Sequence, residues 1–144
     1  MITFGEKLKI YIEQEGLNLK EFSEKAGVEY TTFRNALVNF KKNKGSLQIF
    51  LKYCYLLGYK IDFILINRDN GEVVAESGMS AGSIIKKVMM IKKITAIEIA
   101  EKIDITSDAV NKRIKQLSIN VGNINKLIEI AEIIGYRLEI AFIK

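Results

Sequence analysis

The chain has 144 residues, of which 49% are hydrophobic, and its formal net charge of +5 suits a polyanionic partner. It contains no histidine, the commonest metal ligand and the commonest general base at neutral pH, so we expect neither a metal site nor a hydrolytic triad. No paired carboxylates stand beside a plausible nucleophile, so we expect no enzyme and no cofactor. It also lacks a run of about 18 apolar residues and a signal-peptide pattern, so we expect a cytoplasmic protein that does not contact a membrane.

The chain repeats itself at a constant offset of 77 residues. The segment GYKIDFILI (58–66) is similar to GYRLEIAFI (135–143), and the same offset aligns the rest of both copies without a gap. Apolar residues coincide in kind more often than in identity, which indicates one fold present twice. We therefore predict two domains, residues 1–76 and residues 82–144, joined by a flexible linker at residues 77–81.

The first two helices of each copy are predicted from periodicity and capping residues. Apolar residues at helical spacing predict a first helix of about three turns; they are Phe4, Leu8, Tyr11 and Ile12 in the first copy and Ile85, Val88 and Met89 in the second. A short second helix begins after Asn18 or Thr95, because both are good N-cap residues. It ends at Gly27 in the first copy and at Asp104 in the second.

The third and fourth helices complete each copy. The third helix is predicted over residues 30–40 and 107–117, and one stripe of it is buried. That stripe is Phe33, Leu37 and Phe40 in the first copy and Val110, Ile114 and Leu117 in the second. The fourth helix begins at the N-caps Ser46 and Asn123 and ends at a glycine, Gly58 or Gly135. Cys54 lies among apolar residues of this helix, so we expect a buried thiol.

A change of period from 3.6 to 2 after Gly58 and Gly135 predicts a strand at the end of each copy. In the first copy, Asn70 and Gly71 followed by EVVA (72–75) predict a two-residue hairpin turn and a returning strand. We expect the two repeated strands to pair antiparallel and the hairpin strand to cover the other edge of the first strand. The result is a small shared antiparallel sheet of three strands.

Opposite charges predict the register of the repeated strands. The predicted register places Ile61 opposite Leu138, and consequently Lys60 opposite Glu139 and Asp62 opposite Arg137. Two of these pairs join opposite charges, and each such pair contributes about 0.2–1 kcal/mol.

Three segments resemble the start of a known family of DNA-binding domains. They are TFGEKLK (3–9) and LNLKEFSEKAGV (17–28) in the first copy and ITAIEIAEKIDI (94–105) in the second. All are similar to lambda-repressor/Cro-like (Xre) helix-turn-helix domains. The resemblance implies two tandem helix-turn-helix domains, and with the strands predicted above the chain is expected to be a mainly α protein in which each domain ends in a β-strand. It also implies a sequence-specific, repressor-like regulator of transcription that binds double-stranded DNA as a pseudo-dimer within one chain.

In such domains the third helix enters the major groove, so its exposed residues are the expected DNA contacts. They are Tyr30, Thr31, Arg34 and Asn35 in the first copy and Ser107, Asn111, Lys112 and Lys115 in the second. Arginine can grip guanine through two hydrogen bonds, and asparagine can do the same for adenine. Asp108, near the start of the second copy's third helix, repels phosphate.

The loop after the third helix differs between the copies. In the first copy, three ammonium groups precede the N-cap Ser46, namely those of Lys41, Lys42 and Lys44. Free amide groups at that helix start would add to a phosphate site, so we predict that Ser46 contacts DNA as well. The matching loop SINVGN (118–123) has no charge and carries Ile119 and Val121, so it is expected to meet protein.

Binding to another protein is the second function that the sequence supports. The same fold serves as a protein-interaction module, for example one of phage or plasmid origin that binds a host or regulatory protein. The Xre family often has Gln directly after the N-cap of the second helix, whereas this chain has Leu19 and Ala96 there. This departure and the uncharged second loop favour a protein partner. Homodimerisation of the chain is a further alternative.

Overall fold

The computed structural model describes residues 2–144. The structure is mainly helical, with a small three-stranded antiparallel sheet. The helices are α1 Phe4–Gln14, α2 Leu19–Ala26, α3 Tyr30–Lys41, α4 Leu47–Leu57, α5 Ala81–Lys92, α6 Ala96–Ile103, α7 Ser107–Ser118 and α8 Ile124–Ile133. The strands are β1 Lys60–Asn67, β2 Val73–Ala75 and β3 Tyr136–Ile143. The predicted helices and strands are therefore confirmed, although Asn123, unlike Ser46, makes no side-chain capping hydrogen bond at the start of its helix.

The 77-residue repeat is visible in the helix boundaries. Helices α2 and α6 begin and end at equivalent residues, and so do α3 and α7. Both second helices begin with a capping box, in which Asn18 and Glu21, or Thr95 and Glu98, each accept a hydrogen bond from the other's backbone N–H. Because a capping box satisfies two otherwise unpaired amide groups, it places the helix start at the same residue in both halves.

Among the helices, the core of the first half contains an aromatic cluster where the equivalent residues of the second half are aliphatic. The ring centroid of Phe33 lies 5.2 Å from that of Phe22 and 5.3 Å from that of Tyr53. The equivalent residues of the second half are also buried, and they are Ile99, Val110 and Ile130. The predicted inward stripes of α3 and α7 are confirmed. Cys54 is fully buried, as expected, and burial raises the pKa of its thiol, so the neutral form is favoured.

Gly5 and Gly82 occupy equivalent contact points between the first and third helices of each half. A Cβ atom on Gly5 would lie 2.3 Å from the backbone nitrogen of Lys41, and one on Gly82 would lie 2.2 Å from that of Ser118. No side chain fits at either point, so only glycine lets the two backbones approach this closely. The repeat retains glycine at both positions for this reason.

An asparagine after each third helix holds the start of the first helix. Asn43 and Asn120 both have a left-handed backbone, with φ of +55°, which asparagine tolerates better than most residues. The Oδ1 atom of Asn43 accepts a hydrogen bond from the N–H of Phe4 at 2.8 Å, and that of Asn120 accepts one from Ala81 at 3.1 Å. The loop after the third helix is therefore fixed against the first helix in both halves.

The strand order is β2-β1-β3 with antiparallel pairing throughout, which confirms the predicted sheet. The predicted register is wrong, because Ile61 lies opposite Phe142 rather than Leu138. The charged residues consequently face uncharged partners: Lys60 lies opposite Ile143, and Asp62 lies opposite Ala141.

Strand overlap explains the observed register. All eight residues of β1 pair with β3, whereas the predicted register would pair only residues 60–63 with 136–139. Each backbone hydrogen bond contributes about 0.5–1.5 kcal/mol, so a longer ladder outweighs two exposed ion pairs. Arg137 instead pairs with Glu139 of its own strand at 3.1 Å.

The turn between β1 and β2 is longer than the predicted two residues, since β1 ends at Asn67 and β2 begins at Val73. The Oδ1 atom of Asn67 accepts hydrogen bonds from the N–H groups of Asp69 at 2.8 Å and Asn70 at 3.3 Å. A two-residue type I′ turn requires positive φ at both central residues. Gly71 has a φ of +72°, whereas Asn70 is not among the residues with positive φ. The Asn67 side chain therefore organises a wider turn.

Residues 76–80 connect β2 to α5, and the N–H of Gly78 donates a hydrogen bond to Asp62 at 3.2 Å. Ala81, within the predicted linker 77–81, is the first residue of α5 and is fully buried. Within residues 2–144, no helix has both the length and the apolar character that crossing a bilayer requires.

Candidate nucleic-acid interface

Two contacts between equivalent residues define an approximate two-fold axis between the halves. Phe63 pairs with Ile140 in the β1–β3 ladder, and Ser46 forms an isolated antiparallel bridge with Asn123. The two residues of each pair are related by the repeat offset of 77. An axis that exchanges equivalent residues must pass between them wherever they face each other. It therefore passes through both contacts and exchanges the first half with the second.

The bridge between the halves is reciprocal. The N–H of Leu47 donates to the carbonyl of Gly122 at 2.9 Å, and the N–H of Ile124 donates to the carbonyl of Gly45 at 2.9 Å. The loop after α3 thus meets the loop after α7 at the axis. Since each loop follows directly on its third helix, the C-terminal ends of α3 and α7 converge on the axis.

The start of α4 has fewer free amide groups than the sequence indicated. The N–H of Leu47 is bonded across the axis to Gly122, and the Ser46 hydroxyl accepts a hydrogen bond from the N–H of Ile49 at 3.2 Å. These groups are already engaged. An anion at this helix start would therefore depend chiefly on the lysines of the preceding loop, while the predicted contact by Ser46 stays a prediction.

Helix α3 presents one polar face opposite its buried stripe. Thr31, Arg34 and Asn35 are exposed, and Tyr30 is half-buried. The Arg34 guanidinium carbon lies 5.5 Å from the centroid of the Tyr30 ring. Such a cation–π contact at an exposed site contributes about 0.5–1 kcal/mol. It orients the arginine and still leaves its N–H groups free for a ligand.

Helix α7 presents different side chains at the equivalent positions. The predicted contacts are exposed except for half-buried Ser107, and the exposed ones are Asn111, Lys112 and Lys115. Asp108 is exposed in the first turn, where a carboxylate favours the helix dipole. Arg113 donates a hydrogen bond to Glu129 at 2.7 Å, so its charge is neutralised within the second half.

The two loops at the axis differ in the same way. Lys42 and Lys44 are exposed and Lys41 is half-buried. The residues equivalent to Lys42 and Lys44 are Ile119, which is 73% exposed, and Val121, which is half-buried. One side of the axis is therefore basic and the other side is apolar.

The charged residues among the predicted DNA contacts form no ion pair within the part of the chain that the structure describes. Within residues 2–144, no carboxylate lies within 4.0 Å of the cationic groups of Arg34, Lys41, Lys42, Lys44, Lys112 or Lys115. The predicted DNA-contact residues of the first half lie together on α3 and the loop after it, and those of the second half lie together on α7. Sequence reasoning missed Asn43 and Asn120, which fix the loops, although the repeat offset aligns them.

A surface of this kind can bind a polyanion and offer planar hydrogen-bonding groups to it. No family model matches the chain, and no curated protein and no solved structure is significantly similar to it.

Proposed function

We propose that the protein is a sequence-specific DNA-binding regulator of transcription, repressor-like and acting without a cofactor. In this proposal α2 and α3, and likewise α6 and α7, are tandem helix-turn-helix units, with α3 and α7 as recognition helices. The resemblance of residues 17–28 and 94–105 to Xre domains supports the assignment. So does the short connection between the two helices of each unit.

The reciprocal bridge at Ser46 and Asn123 carries the proposal. Helix-turn-helix dimers present two recognition helices about 34 Å apart, which reach successive major grooves on one side of the duplex. A single chain in which α3 and α7 flank an approximate two-fold axis supplies both helices. The proposal therefore needs only one chain for each DNA site.

The free side chains match the chemistry of a duplex. Arg34 would bond guanine, and Asn35 and Asn111 would bond adenine, in the major groove. The predicted cations Lys41, Lys42, Lys44 and Lys115 would neutralise phosphates, so binding would weaken as salt rises.

Selection of bound fragments from random duplex DNA, followed by sequencing, tests this proposal. We expect an enriched motif, one chain per duplex by analytical ultracentrifugation, and an affinity that falls linearly with salt on a log–log scale. Absence of any enriched motif at low salt would contradict it.

A protein-interaction module is the second candidate, and exposed apolar residues of the second half favour it. Met90, Ile91 and Ile97 are 79%, 55% and 61% exposed. Their equivalents in the first half are polar, namely Glu13, Gln14 and Lys20. Isolated exposed apolar residues are ordinary on a protein surface, but several within eight residues of chain suit a protein contact.

The repeat itself supplies the test variant for this candidate. Met90→Glu, Ile91→Gln and Ile97→Lys together introduce the first half's residues at equivalent positions. Cross-linking in cells that make the wild-type or the variant protein would identify a partner that depends on this surface. A cross-linked partner that is unaffected by the three substitutions would contradict this docking surface.

A further inference from the structure

We propose that the preferred DNA target is non-palindromic, with two different half-sites of which α3 reads one and α7 the other. This inference rests on the proposed function and concerns the kind of sequence that the same surface recognises. It follows from a contrast between the residues that build the two-fold scaffold and the residues that the scaffold presents.

Three pairs of scaffold residues are identical in the two halves. They comprise the close-contact glycines Gly5 and Gly82, the loop asparagines Asn43 and Asn120, and the bridge glycines Gly45 and Gly122. The presented residues differ. Every exposed residue of α3 is replaced in α7: Thr31 by Asp108, Thr32 by Ala109, Arg34 by Asn111, Asn35 by Lys112, Val38 by Lys115 and Asn39 by Gln116. The halves thus share their positions around the axis but not their chemistry.

Two neighbouring positions set the expected bases. Arg34 suits guanine and its equivalent Asn111 suits adenine. At the next position the preference is reversed, since Asn35 suits adenine and Lys112 suits guanine. A palindrome offers the same base edge to both members of an equivalent pair, so it can satisfy only one of them. A site with guanine facing Arg34 and adenine facing Asn111 satisfies both.

The loops at the axis add a second asymmetry. Lys42 and Lys44 lie in the first loop, whereas Ile119 and Val121 occupy the equivalent positions of the second. Phosphates near the centre of the site would therefore be neutralised from the first half only. The base contacts of α3 and α7 would then fix the orientation of the chain on the duplex, because phosphates are the same in both half-sites and carry no base information.

The test compares selected motifs from the wild-type protein and from a variant in which five residues of α7 are replaced by their equivalents in α3. The variant has five substitutions: Ser107→Tyr, Asp108→Thr, Asn111→Arg, Lys112→Asn and Lys115→Val. We expect the wild type to select an asymmetric motif, with guanine in one half-site where the other has adenine. The variant should select a motif whose half-sites are alike. Circular dichroism checks that the variant is folded.

Two single substitutions keep the proposal testable if the variant with five substitutions does not fold. On the selected wild-type site, Arg34→Ala should lose discrimination of roughly 5- to 150-fold at one base pair of the first half-site only. Asn111→Ala should do the same at the equivalent base pair of the second half-site only.

The outcomes separate the inference from the function on which it rests. A palindromic wild-type motif, or loss of discrimination in both half-sites from one substitution, would overturn the inference and leave DNA binding standing. Absence of an enriched motif from the wild-type protein would overturn the proposed function and the inference together.

Discussion

Phe63 lies opposite Ile140, its equivalent in the other half, so the β1–β3 ladder itself straddles the approximate two-fold axis. Three residue pairs lie on one side of this contact and four on the other, since the ladder runs from Lys60 and Ile143 to Asn67 and Tyr136. The halves are therefore joined by a continuous backbone ladder in addition to the linker.

Cutting the chain between Ser77 and Gly78 should leave two halves that stay associated. The ladder and the Ser46–Asn123 bridge hold them together without the linker, and the hydrogen bond from the Gly78 N–H to Asp62 also joins the two halves after this cut. Size-exclusion chromatography of co-expressed halves should show one peak that contains both. Two independently eluting halves would contradict this prediction.

Gly5→Ala and Gly82→Ala should each destabilise the protein. The new methyl group would lie within 2.3 Å of a backbone atom of the third helix, so the helices must separate. Overpacking of this kind costs about 1–3 kcal/mol or more. Denaturant unfolding gives the free energy of unfolding. Ser77→Ala, at an exposed linker residue, is the control and should leave it within about 0.5 kcal/mol of wild type.

Locally determined features were predictable from the sequence. Asn18 and Thr95 are read as N-caps because the capping interaction spans only three residues, and the structure has both. Features that depend on distant residues were not. The strand register follows from the overlap of strands that are far apart in sequence, and local charge pairs therefore misled the prediction.

In the candidate site, too, locally determined features were predictable from the sequence and contacts between distant residues were not. Exposure of Arg34 and Asn35 follows from the helical period, because the buried stripe fixes the opposite face. The pairing of Arg113 with Glu129 joins residues on different helices, and the hydrogen bonds of Leu47 and Ile124 cross the axis between the halves. No local pattern signals such contacts, which is why free amide groups were expected at the start of α4.

Glu15 joins the end of α1 to the residue after β3. Its carboxylate accepts a hydrogen bond from the Tyr59 hydroxyl at 2.6 Å and lies 2.6 Å from the Lys144 ammonium group. The bond to Lys144, followed by the bond to Tyr59, lowers the pKa of Glu15, and the bond to Glu15 raises the pKa of Lys144. The Glu15 contribution is fully present above its unfolded pKa of 4.5 and is lost as pH falls through the lowered folded pKa.

Glu15→Gln should therefore lower the Tm at neutral pH, and the difference from wild type should shrink as the solution is acidified below pH 4.5. On the alkaline side, the Lys144 contribution is present below its unfolded pKa of 10.5 and is lost as pH rises through the raised folded pKa. Thermal unfolding across a series of pH values measures the loss of the Glu15 contribution at acidic pH and of the Lys144 contribution at alkaline pH. Glu13→Gln, at an exposed carboxylate two residues away, is the control. A Tm difference that is independent of pH would refute the electrostatic account.

The salt dependence of DNA binding should be unequal between the halves. Each lysine that neutralises a phosphate contributes about 0.9 to the slope of log affinity against log salt. Replacing Lys41, Lys42 and Lys44 together with Ala should flatten that slope by about two to three, because these ammonium groups have no carboxylate partner among the described residues. Lys112→Ala should change it by at most about one.

Fluorescence anisotropy with a selected duplex over a series of salt concentrations measures these slopes. Lys52→Ala, at an exposed lysine of α4 outside the predicted contacts, serves as the matched control and should leave the slope unchanged. The triple substitution should weaken binding to all sequences alike, since phosphate contacts carry no base information. Arg34→Ala should instead relax sequence preference. Equal changes of slope from the two halves would contradict the asymmetry, because bulk charge alone would then govern binding.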